Sequence, residues 1–232
     1  MKKVLLTPRI EYIDHAWKYF VNESYLHALQ PYSLLCLCPL TMNRAIELAQ
    51  DFDALLLCGG YDIASFYFHE PLHEQAQLYQ RPVDYFDFTL LDAFVKLKKP
   101  VLGICRGMQI INVYFHGTIC QHFEPSSHES DSHTHPVSIM ENTPFVSLLG
   151  QDAIVNSYHH QCVRQLGDHL RAAAIAQDER IEALYHETLP IMGVQWHPEL
   201  LEDDCVIPYF VHHLLCEDAI WFGPSEPKAK QI

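Results

Sequence analysis

Pro100-Val-Leu-Gly-Ile-Cys-Arg-Gly-Met-Gln109 says more about the fold than any other stretch of this chain. Val101–Ile104 is a short, continuous apolar run, the pattern of a strand buried on both faces. Met108, Ile111, Asn112 and Phe115 follow at helical spacing. Between strand and helix lies Gly103-Ile104-Cys105-Arg106-Gly107, a Gly-x-nucleophile-x-Gly elbow with cysteine in the place of serine. The turn is sharp, and side chains two before and two after the nucleophile would collide with neighbouring backbone. A thiol so placed sits at a helix N-terminus, where the macrodipole and free N–H groups favour thiolate. The N–H of Arg106 points where an oxyanion would form. A cysteine in an apolar run is also often just a small hydrophobe, so the remaining sequence must discriminate.

Upstream, Val4–Thr7, Leu34–Cys38 and Ala54–Cys58 read as further strands. Helices are expected at Ile13–Leu29, Met42–Gln50 and Val83–Leu97. This β-α-β-α order predicts an α/β fold with a mostly parallel central sheet flanked by helices, of the flavodoxin-like kind. Downstream, Val137–Met140, Ala172–Ala176, Ile181–Tyr185 and Ile191–Gln195 read as strands with short connections, and Cys205–Cys216 as a last helix. Pro125–His135, polar and rich in Ser and His, reads as an exposed loop. With no repeat and no break in composition, residues 1–222 are expected to form one domain and 223–232 a flexible tail.

The chain has 232 residues, enough to bury a substantial core, and a formal net charge of −14. So acidic a surface repels phosphate backbones and anionic lipid, which argues against nucleic-acid and membrane partners. The apolar run after Lys2 and Lys3 stops at Pro8, too soon for a signal-peptide core, and no stretch of about 18 apolar residues occurs. Eight cysteines, mostly inside apolar runs, fit free thiols in a reducing cytoplasm better than a disulfide framework. His128, His133 and His135 match no common zinc spacing, so no metal is expected there.

A nucleophilic thiol needs a base, and the base an orienting group. Gly193-Val-Gln-Trp-His-Pro-Glu199 supplies both. Pro198 favours an extended His197, and residues two apart on an extended chain share a face. Glu199 can thus hold the imidazole in the tautomer whose other nitrogen meets the thiol.

Residues 103–109 and 193–199 together resemble the two signatures of class I glutamine amidotransferase domains. Cys58-Gly-Gly-Tyr-Asp62, Asp84-Tyr-Phe-Asp87 and Val155-Asn-Ser-Tyr-His-His-Gln161 resemble the γ-glutamyl hydrolase branch, peptidase C26, particularly γ-glutamyl-γ-aminobutyrate hydrolases. The matches run in the family's order from about residue 54 to 199. The resemblance implies Cys105 as nucleophile, His197 as base and then acid, and Glu199 as orienting carboxylate. It implies an oxyanion hole from the backbone N–H groups of Gly60 and Arg106, and a glutamyl site drawing on Gln109, Ser157, Tyr158 and His159. Asn156–Gln161 reads equally as a polar turn.

The implied activity is cofactor-free hydrolysis of a small γ-glutamyl amide, of the γ-glutamyl-γ-aminobutyrate or γ-glutamyl-putrescine type, by a cytoplasmic protein, with a homodimer as the implied assembly. Alternatives are a glutaminase subunit feeding ammonia to a separate synthetase, a folate poly-γ-glutamate hydrolase, or an inactive binding protein on the same fold. Two departures bear on substrate identity. Cys58 stands where the family usually has Pro, and Tyr61-Asp62-Ile63-Ala64-Ser65 lacks the branch's frequent Asp-Pro.

Overall fold

The computed structural model describes residues 2–37, 42–76, 80–123 and 134–215. The first half runs β1 (Lys2–Leu6), β2 (Arg9–Ile13), β3 (Ala16–Phe20), α1 (Glu23–Leu29), β4 (Ser33–Leu37), α2 (Ala45–Asp51), β5 (Ala54–Leu57), α3 (Arg81–Lys96), β6 (Val101–Ile104) and α4 (Arg106–Tyr114). The second runs β7 (Thr118–Cys120), β8 (Thr134–Ile139), α5 (Val146–Leu149), β9 (Asp152–Asn156), β10 (Cys162–Gln165), β11 (Leu170–Ala176), β12 (Ile181–His186), β13 (Ile191–Val194) and α6 (Val206–Leu215).

Among the described residues one eleven-stranded sheet dominates, in the order β4-β1-β5-β6-β13-β12-β11-β8-β9, with β10 and β7 branching from β12. The strands from β4 to β13 are parallel, and from β12 onward the pairing is antiparallel. The fold is thus the expected α/β arrangement. Its parallel part sits between helices, and the shortly connected strands of the second half extend it on one side. Every residue of β5, β6 and β13 is buried, which is why their sequences read as unbroken apolar runs.

Alternation along the strands divides the core in two. Val4, Leu6, Leu56 and Ile104 pack with Tyr25 and Leu29 of α1 and Phe210 of α6. Leu5, Leu55, Leu57 and Val101 pack on the other face with Phe86, Leu90 and Phe94 of α3 and Ile111 of α4. The apolar spacing seen in the Val83–Leu97 sequence is therefore the face that α3 lays on the sheet.

Two expectations need correction. The helix expected at Ile13–Leu29 starts only at Glu23; before it, β2 and β3 form a separate two-stranded antiparallel sheet. Asp14 and His15 have φ of 52° and 62°, the pattern of a two-residue type I′ turn, and the β-branched and aromatic residues on either side favour strand over helix. The expected exposed loop at Pro125–His135 falls largely outside the described residues, as do His128 and His133. Thr134 and His135 already belong to β8, and His135 is buried. The tail expected at 223–232 also lies outside the described residues.

At the elbow the steric demand is explicit. A Cβ on Gly103 would stand 2.5 Å from the Gly107 carbonyl carbon, and one on Gly107 would strike the Leu57 carbonyl oxygen. Neither neighbour is a flexible side chain that can swing away. Gly107→Ala is therefore expected to destabilise the protein by about 3 kcal/mol, the upper end for overpacking. At about 2–4 °C per kcal/mol for a domain of this size, a thermal melt should fall by roughly 6–12 °C. An unchanged midpoint would show that the contact is not tight.

Candidate active site

Register brings the predicted residues together before any side chain is considered. Leu57 of β5 pairs with Gly103 of β6, and Gly103 pairs with Gly193 of β13. The segments just beyond the C-terminal ends of these three adjacent parallel strands are Gly59-Gly60, Cys105 and His197. Ligand sites of open α/β sheets lie at that edge.

Cys105 holds φ 52° and ψ −107°, a sparsely populated conformation for a residue with a Cβ. Its N–H donates to the Val194 carbonyl at 2.8 Å, and its carbonyl accepts from Met108 and Gln109 at the start of α4. The turn thus stays fixed to β13 on one side and α4 on the other.

His197 lies between Cys105 and Glu199. Its Nδ1 is 2.7 Å from Glu199 Oε1, and the ring is close enough to Cys105 to feel its charge. Burial opposes charge on this ring, but the Cys105 thiolate and Glu199 outweigh it and lift its pKa from 6.5 to about 10. The arrangement favours the protonated imidazolium. Asn156 clamps the His197 backbone from both sides, Nδ2 donating to its carbonyl and Oδ1 accepting from its N–H, each at 2.8 Å.

The Gly59-Gly60 segment packs against the same group. A Cβ on Gly59 would stand 2.8 Å from His197 Cε1, and one on Gly60 3.3 Å from Arg106 Cδ. The Tyr25 hydroxyl accepts from the Gly59 N–H at 2.9 Å. Beneath them lie four buried charged side chains whose pairing sequence reading did not anticipate. Arg9 donates to the Gly59 carbonyl at 2.6 Å and to the Cys58 carbonyl, and pairs with Asp87 at 3.3 Å. Arg106 reaches the same Asp87 with one arm and Asp84 with the other, the latter at 2.5 Å. Burial opposes the Arg106 charge and the two aspartates outweigh it, so its pKa stays above the usual arginine value. The quartet couples the Gly59-Gly60 loop, the elbow and α3 through charge-assisted bonds.

The residues expected to hold a glutamyl group are placed unequally. Gln109 is buried, its amide nitrogen donating to Gln195 Oε1 at 3.2 Å and the Gln161 carbonyl at 3.3 Å. With those donors committed, what it can offer a ligand is Oε1. Ser157 is buried beside the site, and the exposed Tyr158 sets its ring edge-on to His197 at 5.9 Å between centroids. The His159 ring is turned inward instead. Its Nδ1 meets the Gln161 carbonyl at 2.9 Å, and its Nε2 lies 3.7 Å from the buried Glu182.

Sequence reasoning missed Gln195, whose Nε2 approaches Cys105 Sγ at 3.6 Å. Its position two residues before His197, just past the end of β13, was the available signal. The five cysteines whose side chains are described are free thiols. Among the described residues no three His, Cys, Asp or Glu side chains are grouped to hold a metal ion, and no helix is long and apolar enough to cross a membrane.

The chain is similar to known proteins over most of its length. Protein NtpR of Enterococcus hirae is 32% identical over 198 residues, covering 78% of this chain and 82% of that protein. A γ-glutamyl-CDP-amidate hydrolase of Campylobacter jejuni is 32% identical over 146 residues, covering 63% of this chain and 62% of that protein. Among solved structures, a putative GMP synthase subunit of Thermoplasma acidophilum shares the fold, with TM-score 0.64, 19% identity and 92% of each chain covered. The Peptidase C26 family model matches residues 8–199, a span that takes in Arg9, the Gly59-Gly60 loop, the elbow and the His-Pro-Glu segment, and the chain belongs to that family.

Proposed function

We propose that the protein hydrolyses γ-glutamyl amides through a γ-glutamyl thioester on Cys105. The observation that carries this reading is the His197 imidazole bonded to Glu199 and lying where the Cys105 charge acts on it. The thiolate attacks the γ-carbonyl carbon, forming a C–S bond. The resulting oxyanion is held by the N–H groups of Gly60 and Arg106. As the C–N bond breaks, the His197 imidazolium gives its proton to the leaving nitrogen and becomes the neutral base. It then takes a proton from water, whose oxygen attacks the thioester, and the thiol leaves as thiolate with glutamate released. Glu199 orients the ring throughout. Gln109, Ser157, Tyr158 and His159 are assigned to the glutamyl side, His159 through its bond to the Gln161 carbonyl. A cytoplasmic location goes with this reading, since free thiols persist in a reducing compartment.

The name of the Campylobacter relative supports a γ-glutamyl bond as the one cleaved. The likeness to a synthetase component favours a second reading, a glutaminase that passes ammonia to a partner. Glutamate release from a panel of γ-glutamyl amines, with glutamine included, separates the two. Efficient cleavage of the substituted amides by the isolated chain is expected, whereas turnover of glutamine alone overturns the proposal. Cys105→Ala should lower kcat by roughly four orders of magnitude or more. Mass spectrometry of the rapidly quenched wild type should find the glutamyl group on Cys105.

The raised His197 pKa has two measurable consequences. The folded ring keeps its proton to higher pH than a free one. The associated stability is therefore fully present below pH 6.5 and lost as pH rises through about 10. Catalysis should show an alkaline limb near 10, where the general acid is lost. In Cys105→Ser, NMR titration of His197 should give a pKa well below the wild-type value; an unshifted ring would dismiss the ion pair.

The buried quartet predicts a different phenotype. Asp87→Asn leaves Arg9 and Arg106 short of a counter-charge and should cost about 3–5 kcal/mol of stability, read from denaturant unfolding.

A further inference from the structure

A cavity of about 330 Å3 opens on one side of the catalytic groups, bounded by Gly60 and His197 and walled by Arg9, Glu11, Tyr25 and Tyr61. None of Gln109, Ser157, Tyr158 or His159 lines it. It therefore borders the oxyanion donor and the proton donor but not the groups assigned to the glutamyl moiety, which is the position a departing amine must occupy. Its volume is at the small end for ligand pockets, suited to a short chain.

The charges around this space do not cancel. Arg9, the cation in its wall, is already engaged by Asp87 and by the Cys58 and Gly59 carbonyls. The positive charge on His197 is matched by Glu199, whose Oε1 is 2.7 Å from the ring. Glu11 stands two residues along β2 from Arg9, on the same strand face. Its Oε1 accepts a hydrogen bond from the neutral Tyr61 hydroxyl at 2.6 Å. Lys18 is directly opposite Glu11 across the hairpin, but its ammonium is 2.8 Å from Asp14. Glu11 thus brings a carboxylate into the cavity with no bonded cation among the described residues. A carboxylate in a half-enclosed site attracts a cation and repels an anion more strongly than one in open water.

We propose that the leaving group is an amine bearing a second positive charge, a short α,ω-diamine or polyamine, whose distal ammonium is held by Glu11 and oriented by Tyr61. This rests on the γ-glutamyl amide hydrolase reading and narrows it. An amine ending in a carboxylate, such as an ω-amino acid, meets repulsion in the same place.

Three γ-glutamyl amides of matched length test it: those of 1,4-diaminobutane, butylamine and 4-aminobutyrate. The expected order of kcat/KM is diamine, then butylamine, then amino acid, with roughly a tenfold or greater step between the first two, as one charge-assisted contact provides. Glu11→Gln should collapse the diamine-to-butylamine ratio toward one, and Glu11→Lys should invert the preference toward 4-aminobutyrate. Raised salt should reduce the wild-type ratio. Cleavage of all three amides without a diamine preference, or a preference that survives Glu11→Gln, overturns this inference and leaves the hydrolase reading intact. Release of glutamate from none of them overturns both.

Discussion

Where Gly107 faces the Leu57 carbonyl there is no space for a single additional carbon, and the geometry of the site follows from that contact. Close approach lets α4 begin directly over the ends of β5 and β6. Cys105 must then turn through a positive φ to connect strand and helix. In that conformation its side chain projects from the sheet edge toward the next strand's C-terminus, where His197 arrives. A larger residue at 103 or 107 would push helix and sheet apart and open the elbow. The strain at Cys105 is held in place by its bonds to Val194, Met108 and Gln109.

Charge secures the other side of the site. The Gly59-Gly60 loop has no side chains of its own with which to anchor itself, so its carbonyl is gripped by Arg9 and its N–H by Tyr25. Arg9 and Arg106 share Asp87, which links the loop to the elbow through one carboxylate. Burying four charges together is costly unless each is paired, and here each arginine meets a carboxylate directly. The reward is positional: the two backbone N–H groups assigned to the oxyanion hole belong to segments held by the same acid.

How much of this could be read from the chain depends on how local each cause is. Val101–Ile104, Gly103, Gly107 and the His197-Pro198-Glu199 spacing state their structure over a few residues, so the parallel core, the elbow and the imidazole–carboxylate pair were legible. The β2–β3 hairpin was not, because Asp14-His15 lacks the glycine that usually advertises a two-residue turn. Trp17 and Phe20 also fall at a helix-compatible spacing after Ile13. The pairing of Arg9 with Asp87 joins residues far apart in sequence, and no local pattern announces it. His159 lies in a recognisable stretch, yet its ring faces Glu182 on β12, a direction beyond the reach of motif reading.

The hairpin has one further consequence. It forms its own two-stranded sheet, rooted at Arg9 and free of the main ladder. Its outer positions can therefore change without altering the strands that carry the thiol, the imidazole or the oxyanion loop. Such a division of labour separates the evolution of chemistry from the evolution of specificity: Arg9 stays tied to the core while Glu11, one side chain further along the same face, is free to drift. A descendant could acquire a new leaving group by substitutions confined to this hairpin and keep its reaction.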